Sequence, residues 1–319
     1  MATAEQIKSL VKACVEGDSD RLKTVVLQIA AHEARLSHAV LARELKSLAG
    51  KIGTRLGKVV HLSPPNPMLE LNMPSHRLSE LIVDEEIFAR IKRIMSEYRN
   101  RKKLHSYGLS NRRKILIEGA PGTGKTFTAY VIASELSLPL YIVQMDKLVT
   151  KFMGETSVKL RQVFDDIAAI GGVYLFDEFD AIGADRSLDN EVGEMRRVLN
   201  SFLQFLEQDG SESVIIAATN NSKILDNALF RRFDEVLHYP LPTDSEIERL
   251  FAQRLKSFDC GFAISPHLLD AAAGLNHAEI ARVCENAVKD SILSERPLTV
   301  RRGIELIAER RAIYQKMEA

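Results

Sequence analysis

Two stretches of this chain combine residue types that do phosphate chemistry. The first, Gly119-Ala120-Pro121-Gly122-Thr123-Gly124-Lys125-Thr126, has the spacing G-x-x-x-x-G-K-T and lies between an apolar run and a helical run. In that context the backbone N–H groups of a helix N-terminus wrap phosphate oxygens, and glycine permits the backbone turns that the wrap requires. Lys125 is then the cation for the β- and γ-phosphates, and the Thr126 hydroxyl is a ligand for Mg²⁺. Phe127, next in the chain, joins the set of nucleotide-contacting candidates. The second stretch, Val173-Tyr174-Leu175-Phe176-Asp177-Glu178, reads as a buried strand ending in two carboxylates. Ligand sites of open α/β sheets lie beyond the carboxyl ends of the strands, which places Asp177 at the crevice of the phosphate loop as a holder of Mg²⁺ through water. Glu178 is the carboxylate to polarise an attacking water. An apolar run ending in Asp-Glu is often only a strand end; downstream of a complete phosphate loop it reads as half of a hydrolytic site.

Such groups need a scaffold that brings loop and strand ends together. Apolar runs at Lys114–Glu118, Pro139–Val143, Val173–Phe176, Val214–Ala218 and Glu235–Tyr239 alternate with helical segments, beginning with Ile82–Tyr98. That alternation predicts an α/β unit over 80–240, a parallel sheet with helices on both faces. After Pro240-Leu241-Pro242 the pattern turns helical to the end, a C-terminal helical subdomain over 241–319. Residues 1–60 read as a bundle of three short amphipathic helices. Ile7, Leu10, Val11 and Cys14 form one predicted face, Leu22, Val25, Val26 and Ile29 a second, and Leu41, Leu45 and Leu48 a third. Four of the ten prolines, Pro64, Pro65, Pro67 and Pro74, predict an extended linker over 61–79.

Composition narrows the classes further. The 319 residues carry 43 Lys+Arg against 43 Asp+Glu, and 45% are hydrophobic, which excludes a mainly disordered chain and a whole-protein basic field. Cys14, Cys260 and Cys284 are the three cysteines, widely separated and without a metal-ligand pattern, as expected of a reducing compartment. The N-terminal MATAEQIKSL lacks the features of a signal peptide, and no apolar run is long enough to span a bilayer. The expectation is a soluble cytoplasmic protein with no membrane association.

Four segments in order, GAPGTGKT, VYLFDEFDAIGADR, VIIAATN and LDNALFRRFDEV, resemble the ATPase module of the AAA+ superfamily, in its AAA subgroup. The resemblance spans about three quarters of the chain, from residue 80 onward. It implies a P-loop NTPase sheet with a C-terminal helical lid, and hydrolysis of ATP to ADP and phosphate with Mg²⁺. It implies that Asn220 is the sensor amide that helps orient the water, and that Arg232, with Arg231 beside it, is the finger reaching a neighbouring subunit's γ-phosphate. Where the family often has a further finger this chain has Glu235. Leu81-Ile82-Val83 falls where the family's backbone meets adenine, and His277-Ala278 falls where the lid approaches the nucleotide. Phe152 and Met153 match the pore loop that grips a polypeptide; on sequence alone they equally suit a hydrophobic staple at the next helix. Asp209-Gly210 resembles part of the intersubunit signalling motif, with Ser211 in place of the expected aromatic.

The resemblance also implies partners: a homo-oligomeric ring, a hexamer, and a protein substrate to be remodelled or unfolded. Some compact relatives of this kind are encoded beside a subtilisin-like protease, which adds a protease to the partners considered. Two other classes stay open. A DNA-handling machine is favoured by the basic stretch Arg99–Lys114, although such a run is more often a solvated helix face and this one lacks aromatics for base stacking. A non-processive ATP-gated switch needs no threading at all.

Overall fold

The computed structural model describes residues 4–15, 19–35, 38–51, 66–148, 154–182, 189–220, 230–256, 258 and 264–318. The chain divides into two compact units, Met1–Ser63 and Pro64–Ala319.

In the first unit, helices α1 (Ala4–Val15), α2 (Ser19–Arg35) and α3 (Ala39–Lys51) follow one another, with α2 packed on both others. Leu22, Val25 and Ile29 form the buried face of α2 that their spacing predicts. The face expected of α1 is not the buried one: Ala13 is fully buried, whereas Ile7 and Val11 are exposed. A helix this short carries a face only one or two residues wide, so a small rotation is enough to change which side chains are covered.

The second unit begins with strand β1 (Leu69–Asn72), inside the stretch expected to be linker, followed by a 3-10 turn at Leu78–Glu80. Then come α4 (Glu85–Arg99), α5 (Arg101–Ser106), β2 (Lys114–Gly119), α6 (Lys125–Leu136) and β3 (Leu140–Val143). Next are α7 (Met145–Leu148), α8 (Glu155–Ala169), β4 (Val173–Phe176), a 3-10 turn at Phe179–Ile182, α9 (Asp189–Gln208), β5 (Val214–Thr219) and β6 (Glu235–Tyr239). The sheet order is β1-β3-β4-β5-β2-β6. All neighbours run parallel except β1, which pairs antiparallel with β3 through Leu69 opposite Val143 and Asn72 opposite Leu140. The fold is thus the expected α/β class, with one antiparallel edge added. An edge strand of four residues between Pro67 and Pro74 is compatible with proline at its flanks, which is why composition alone hid it.

Alternation along the central strands divides the core between the two faces. Leu116, Tyr174, Phe176 and Ile215 pack on one side with α8 and α9, through Phe164 and Phe202. Ile115, Ile117, Leu175 and Ile216 pack on the other with α4 and α6. Strands β4 and β5 are buried over their whole length, as a parallel sheet covered twice requires.

Four more helices complete the unit: α10 (Asp244–Leu255), α11 (Pro266–Ala272), α12 (His277–Ser294) and α13 (Val300–Glu318). They share a core of their own around Phe251, Leu268, Ile280 and Ile307, and Ile82 from the α/β part is buried in it. Side chains set the helix starts: Thr243 and Glu246 form a capping box on α10, and Asn276 caps α12 by accepting from the Glu279 N–H at 2.8 Å.

Candidate active site

The carboxyl ends of β2, β4 and β5 open onto one cavity of about 400 Å³. Its wall combines Pro121–Phe127, Asp177, Glu178 and Asn220 with Leu81, Ile82, His277 and Ala278, most of the residues that the sequence assigns to nucleotide and catalysis. Gly119 and Ala120 stand behind the wall as acceptors.

The phosphate loop turns from β2 into α6. Gly124 precedes the helix at φ 99°, a left-handed conformation that glycine adopts without a steric penalty. Gly122 has φ 75°, and a Cβ there would lie 2.6 Å from Asn276 Oδ1. The bare backbone of Gly122 therefore lets the start of α12 dock directly on the loop, and its carbonyl accepts from the Ala278 N–H at 2.9 Å.

Lys125 is buried, with Nζ donating to Gly119 O at 2.8 Å, Ala120 O at 2.9 Å and Asn220 Oδ1 at 2.8 Å. Burial lowers its pKa from the ordinary lysine value, and the carboxylates of Asp177 and Asp180 oppose that shift. Thr126 Oγ1 donates to Asp177 Oδ2 at 2.6 Å. A hydroxyl beside a carboxylate is a hard-oxygen pair of the kind that holds Mg²⁺ together with phosphate and water, so these residues fit the ion. Among the described residues no cluster of three or more His, Cys, Asp and Glu offers a different metal cage.

Glu178 lies exposed at the rim with φ 51°, and its N–H donates to Asp177 Oδ1 at 2.9 Å. Non-glycine residues rarely adopt that conformation, and where they do it often re-aims a functional side chain. Asn220, one residue beyond β5, donates its N–H to Asp180 Oδ1 at 3.3 Å. Its side-chain oxygen accepts from Lys125 Nζ.

The opposite end of the cavity has a different character. Ile82, Leu250 and Ala281 make it apolar, while Glu80, Arg254 and His277 are its charged and titratable members. Both imidazole nitrogens of His277 are buried and lack a well-formed hydrogen bond, the Ile82 backbone being the polar group that acts on the ring. Burial lowers the His277 pKa from its ordinary 6.5, against opposing effects of Glu246 and the Ile82 backbone. Buried nitrogens of this kind are what a base or ribose would satisfy. Glu80, next to Leu81 in the chain, is missing from the sequence-derived set, as are Leu250, Arg254 and Ala281. Helical spacing is the signal that finds the last three: Leu250 and Arg254 are four apart on α10, and Ala278 and Ala281 three apart on α12.

Neither arginine finger candidate enters its own chain's cavity. Arg231 is exposed, and Arg232 Nη1 pairs with Glu207 Oε2 at 2.8 Å. Glu235, at the place of a further finger, is 9% exposed and ion-paired with Arg90 and, at 3.1 Å, with Arg112 Nε. It is an internal anchor between β6 and α4. Phe152 and Met153 lie outside the described residues.

A phosphate loop between β2 and α6, carboxylates after β4 and a helical lid on one wall define a P-loop nucleotide-binding module. Residues 115–241 match the family described as ATPase family associated with various cellular activities (AAA). The chain is 34% identical over 306 residues to a Sinorhizobium fredii protein described as an uncharacterized AAA family ATPase, covering 93% of this chain and 91% of that one. This chain belongs to the AAA family of ATPases. It is also 31% identical over 207 residues to a putative 26S proteasome regulatory subunit homolog of Methanothermobacter marburgensis, spanning 62% of this chain and 55% of that protein. With an ATP-dependent zinc metalloprotease FtsH of Parabacteroides distasonis it shares 32% identity over 206 residues, 62% of this chain and 30% of the other.

Proposed function

We propose that this chain is a Mg²⁺-dependent ATP hydrolase that works in the cytoplasm as a homo-oligomeric ring, a hexamer, and spends its cycle remodelling or unfolding protein substrates. The observation that carries the reading is a single cavity that holds Lys125, the Thr126–Asp177 pair, Glu178 and Asn220 at one end and an apolar pocket at the other.

In this reading Lys125 exchanges its carbonyl and amide acceptors for β- and γ-phosphate oxygens, a charge-assisted contact stronger than those it leaves. Thr126 and Asp177 hold Mg²⁺, which when bound neutralises charge on the phosphate oxygens. Once Lys125 turns to phosphate, the Asn220 amide is free to orient the water. Glu178 accepts the proton of that water. Ile82, Leu250 and Ala278 enclose the base, and His277 meets the base or ribose. Hydrolysis then waits for Arg232 of the adjacent subunit, since neither finger candidate reaches its own site. A heterologous contact that closes on itself produces the ring.

Two of the relatives carry names tied to protein breakdown, the proteasome regulatory subunit homolog and the metalloprotease FtsH, and these favour protein over nucleic acid as the substrate. A separate protease partner belongs to the same proposal. The basic stretch points the same way: Arg101 pairs with Glu212, Arg112 with Glu97 and Arg113 with Asp209, so these guanidiniums are balanced inside the fold.

The test is a capture experiment with Glu178→Gln in ATP, which should retain a polypeptide. Salt-sensitive stimulation of the wild-type ATPase by DNA would select the DNA-handling reading instead. Threading is tested separately by Phe152→Ala, which should leave the melting temperature and basal hydrolysis unchanged and abolish substrate-stimulated turnover. A core staple would instead lose about 3–5 kcal/mol of stability on that truncation. Coupling that survives intact leaves an ATP-gated switch as the better account.

A further inference from the structure

We infer that Arg113, the residue immediately before β2 and outside the cavity wall, is a positioning residue for Arg232. The inference rests on the reading of Arg232 as a finger acting on the neighbouring subunit.

The Arg113 guanidinium is forked across Asp209, with Nη1 on the carboxylate and Nη2 on the backbone carbonyl. Asp209 is 2% exposed and Arg113 is 14% exposed. The Ser211 N–H and hydroxyl also donate to the Asp209 carboxylate, each at 3.2 Å. The end of α9 is therefore fixed to the segment leading into β2 by one arginine. The backbone of the same segment fixes the finger turn: the Arg113 and Lys114 N–H groups both donate to Asp234 Oδ2 at 2.9 Å, and the Asp234 N–H donates to Lys114 O at 2.8 Å. Asp234 is two residues after Arg232, and Glu207 is two residues before Asp209. The Glu207–Arg232 pair at 2.8 Å closes the circuit. Arg113 thus holds, by side chain and by main chain, both segments that determine where Arg232 stands.

Removing the guanidinium strands a buried carboxylate. Asp209 must then move toward water or take up a proton, and either change releases the end of α9 that carries Glu207. A catalytic group misplaced by about 1 Å loses on the order of 10²-fold in rate. The fault falls on the neighbour's site and leaves the variant's own Lys125, Thr126 and Asp177 intact. It should therefore appear in kcat and not in the KM for ATP.

Directional mixing tests this, with Arg113→Met and the milder Arg113→Lys, which keeps the charge and cannot span both acceptors of Asp209. The expected result is a roughly 100-fold lower kcat for Arg113→Met with unchanged KM, and a smaller loss for Arg113→Lys. Activity should return on mixing with Lys125→Ala, whose fingers are intact, and should not return on mixing with Arg232→Ala, whose fingers are absent. A purely structural role predicts rescue by neither partner together with a lowered melting temperature, and that result overturns the inference. So do an unchanged kcat for both variants, and rescue by Arg232→Ala. A control mixture of Arg232→Ala with Lys125→Ala separates the two layers. If the control regains activity and the Arg113 variants fail, the inference falls and the finger reading stands. If the control itself stays inactive, both fall.

Discussion

The two ends of the cavity are built in opposite ways. At the phosphate end the polar side chains behind the exposed Glu178 are engaged by neighbours: Lys125 by two carbonyls and Asn220, Thr126 by Asp177, and Asp177 again by the Glu178 N–H. These groups come from the loops after β2, β4 and β5 of a single sheet, so their mutual geometry is set by strand register. At the lid end the wall comes from two subdomains, Ile82 on one side and Leu250, His277 and Ala278 on the other, and the His277 nitrogens lack a well-formed hydrogen bond. The only hydrogen bond between P-loop and α12 among the described residues runs from the Ala278 N–H to Gly122 O. A rigid, internally satisfied end suits chemistry, whereas an end shared between subdomains suits a lid that changes with the ligand.

The sharpest way to break this division is at the finger, which belongs to neither end of its own cavity. Arg232→Ala should lower turnover by about 10³–10⁵ while nucleotide binding persists, measured by steady-state phosphate release and by nucleotide titration. Next in size is Glu178→Gln. Removing the carboxylate that takes the water's proton should cost about 10²–10⁴ in turnover with ATP affinity retained. Near wild-type hydrolysis by that variant would remove Glu178 from the mechanism.

The joint between the two ends is tested by Gly122→Ala. A Cβ there meets Asn276 at 2.6 Å on a backbone of φ 75°, and a left-handed alanine alone costs about 1–2 kcal/mol. The expected outcome is a lower melting temperature together with weaker nucleotide binding, because the lid no longer seats on the loop. An unchanged melt would mean that the lid does not dock as described.

The smallest effect belongs to the lid end. Burial lowers the folded-state pKa of His277 below 6.5, so in acid the unfolded chain takes up this proton more readily than the folded one. Stability from this group is therefore intact above 6.5 and falls as pH drops toward and through the lowered folded value. His277→Gln, which cannot titrate, should lose less stability than the wild type between neutral and mildly acidic pH in denaturant titrations. Parallel pH profiles for the two proteins would contradict the burial argument.

The same contrast explains what was legible before the structure. The phosphate loop and the Asp177–Glu178 pair are contiguous in sequence, each carried by one turn, and the strands that bear them are apolar runs bounded by polar residues. Their placement around one cavity follows from a parallel sheet. What spacing does not reveal is contact across the chain. The bond from Lys125 to Asn220 depends on β2 and β5 being neighbours, and Arg254 and Ala281 enter the wall only because α10 and α12 pack as they do. Strand β1 has little sequence signal, because four residues between prolines carry little periodicity. The Glu178 backbone at φ 51° has no sequence signal. The basic stretch divides in the fold: Arg101, Arg112 and Arg113 are each matched by a carboxylate, whereas Lys102 and Lys103 stay exposed.

The central claim is that hydrolysis requires one subunit's phosphate loop and another's arginine. Mixing Lys125→Ala with Arg232→Ala, each inactive alone, tests it most directly. Interfaces that pair an intact Lys125 with an intact Arg232 exist only in the mixture, so ATPase activity should appear there and should depend on the mixing ratio. A mixture that forms rings and stays as inactive as its components would contradict the account.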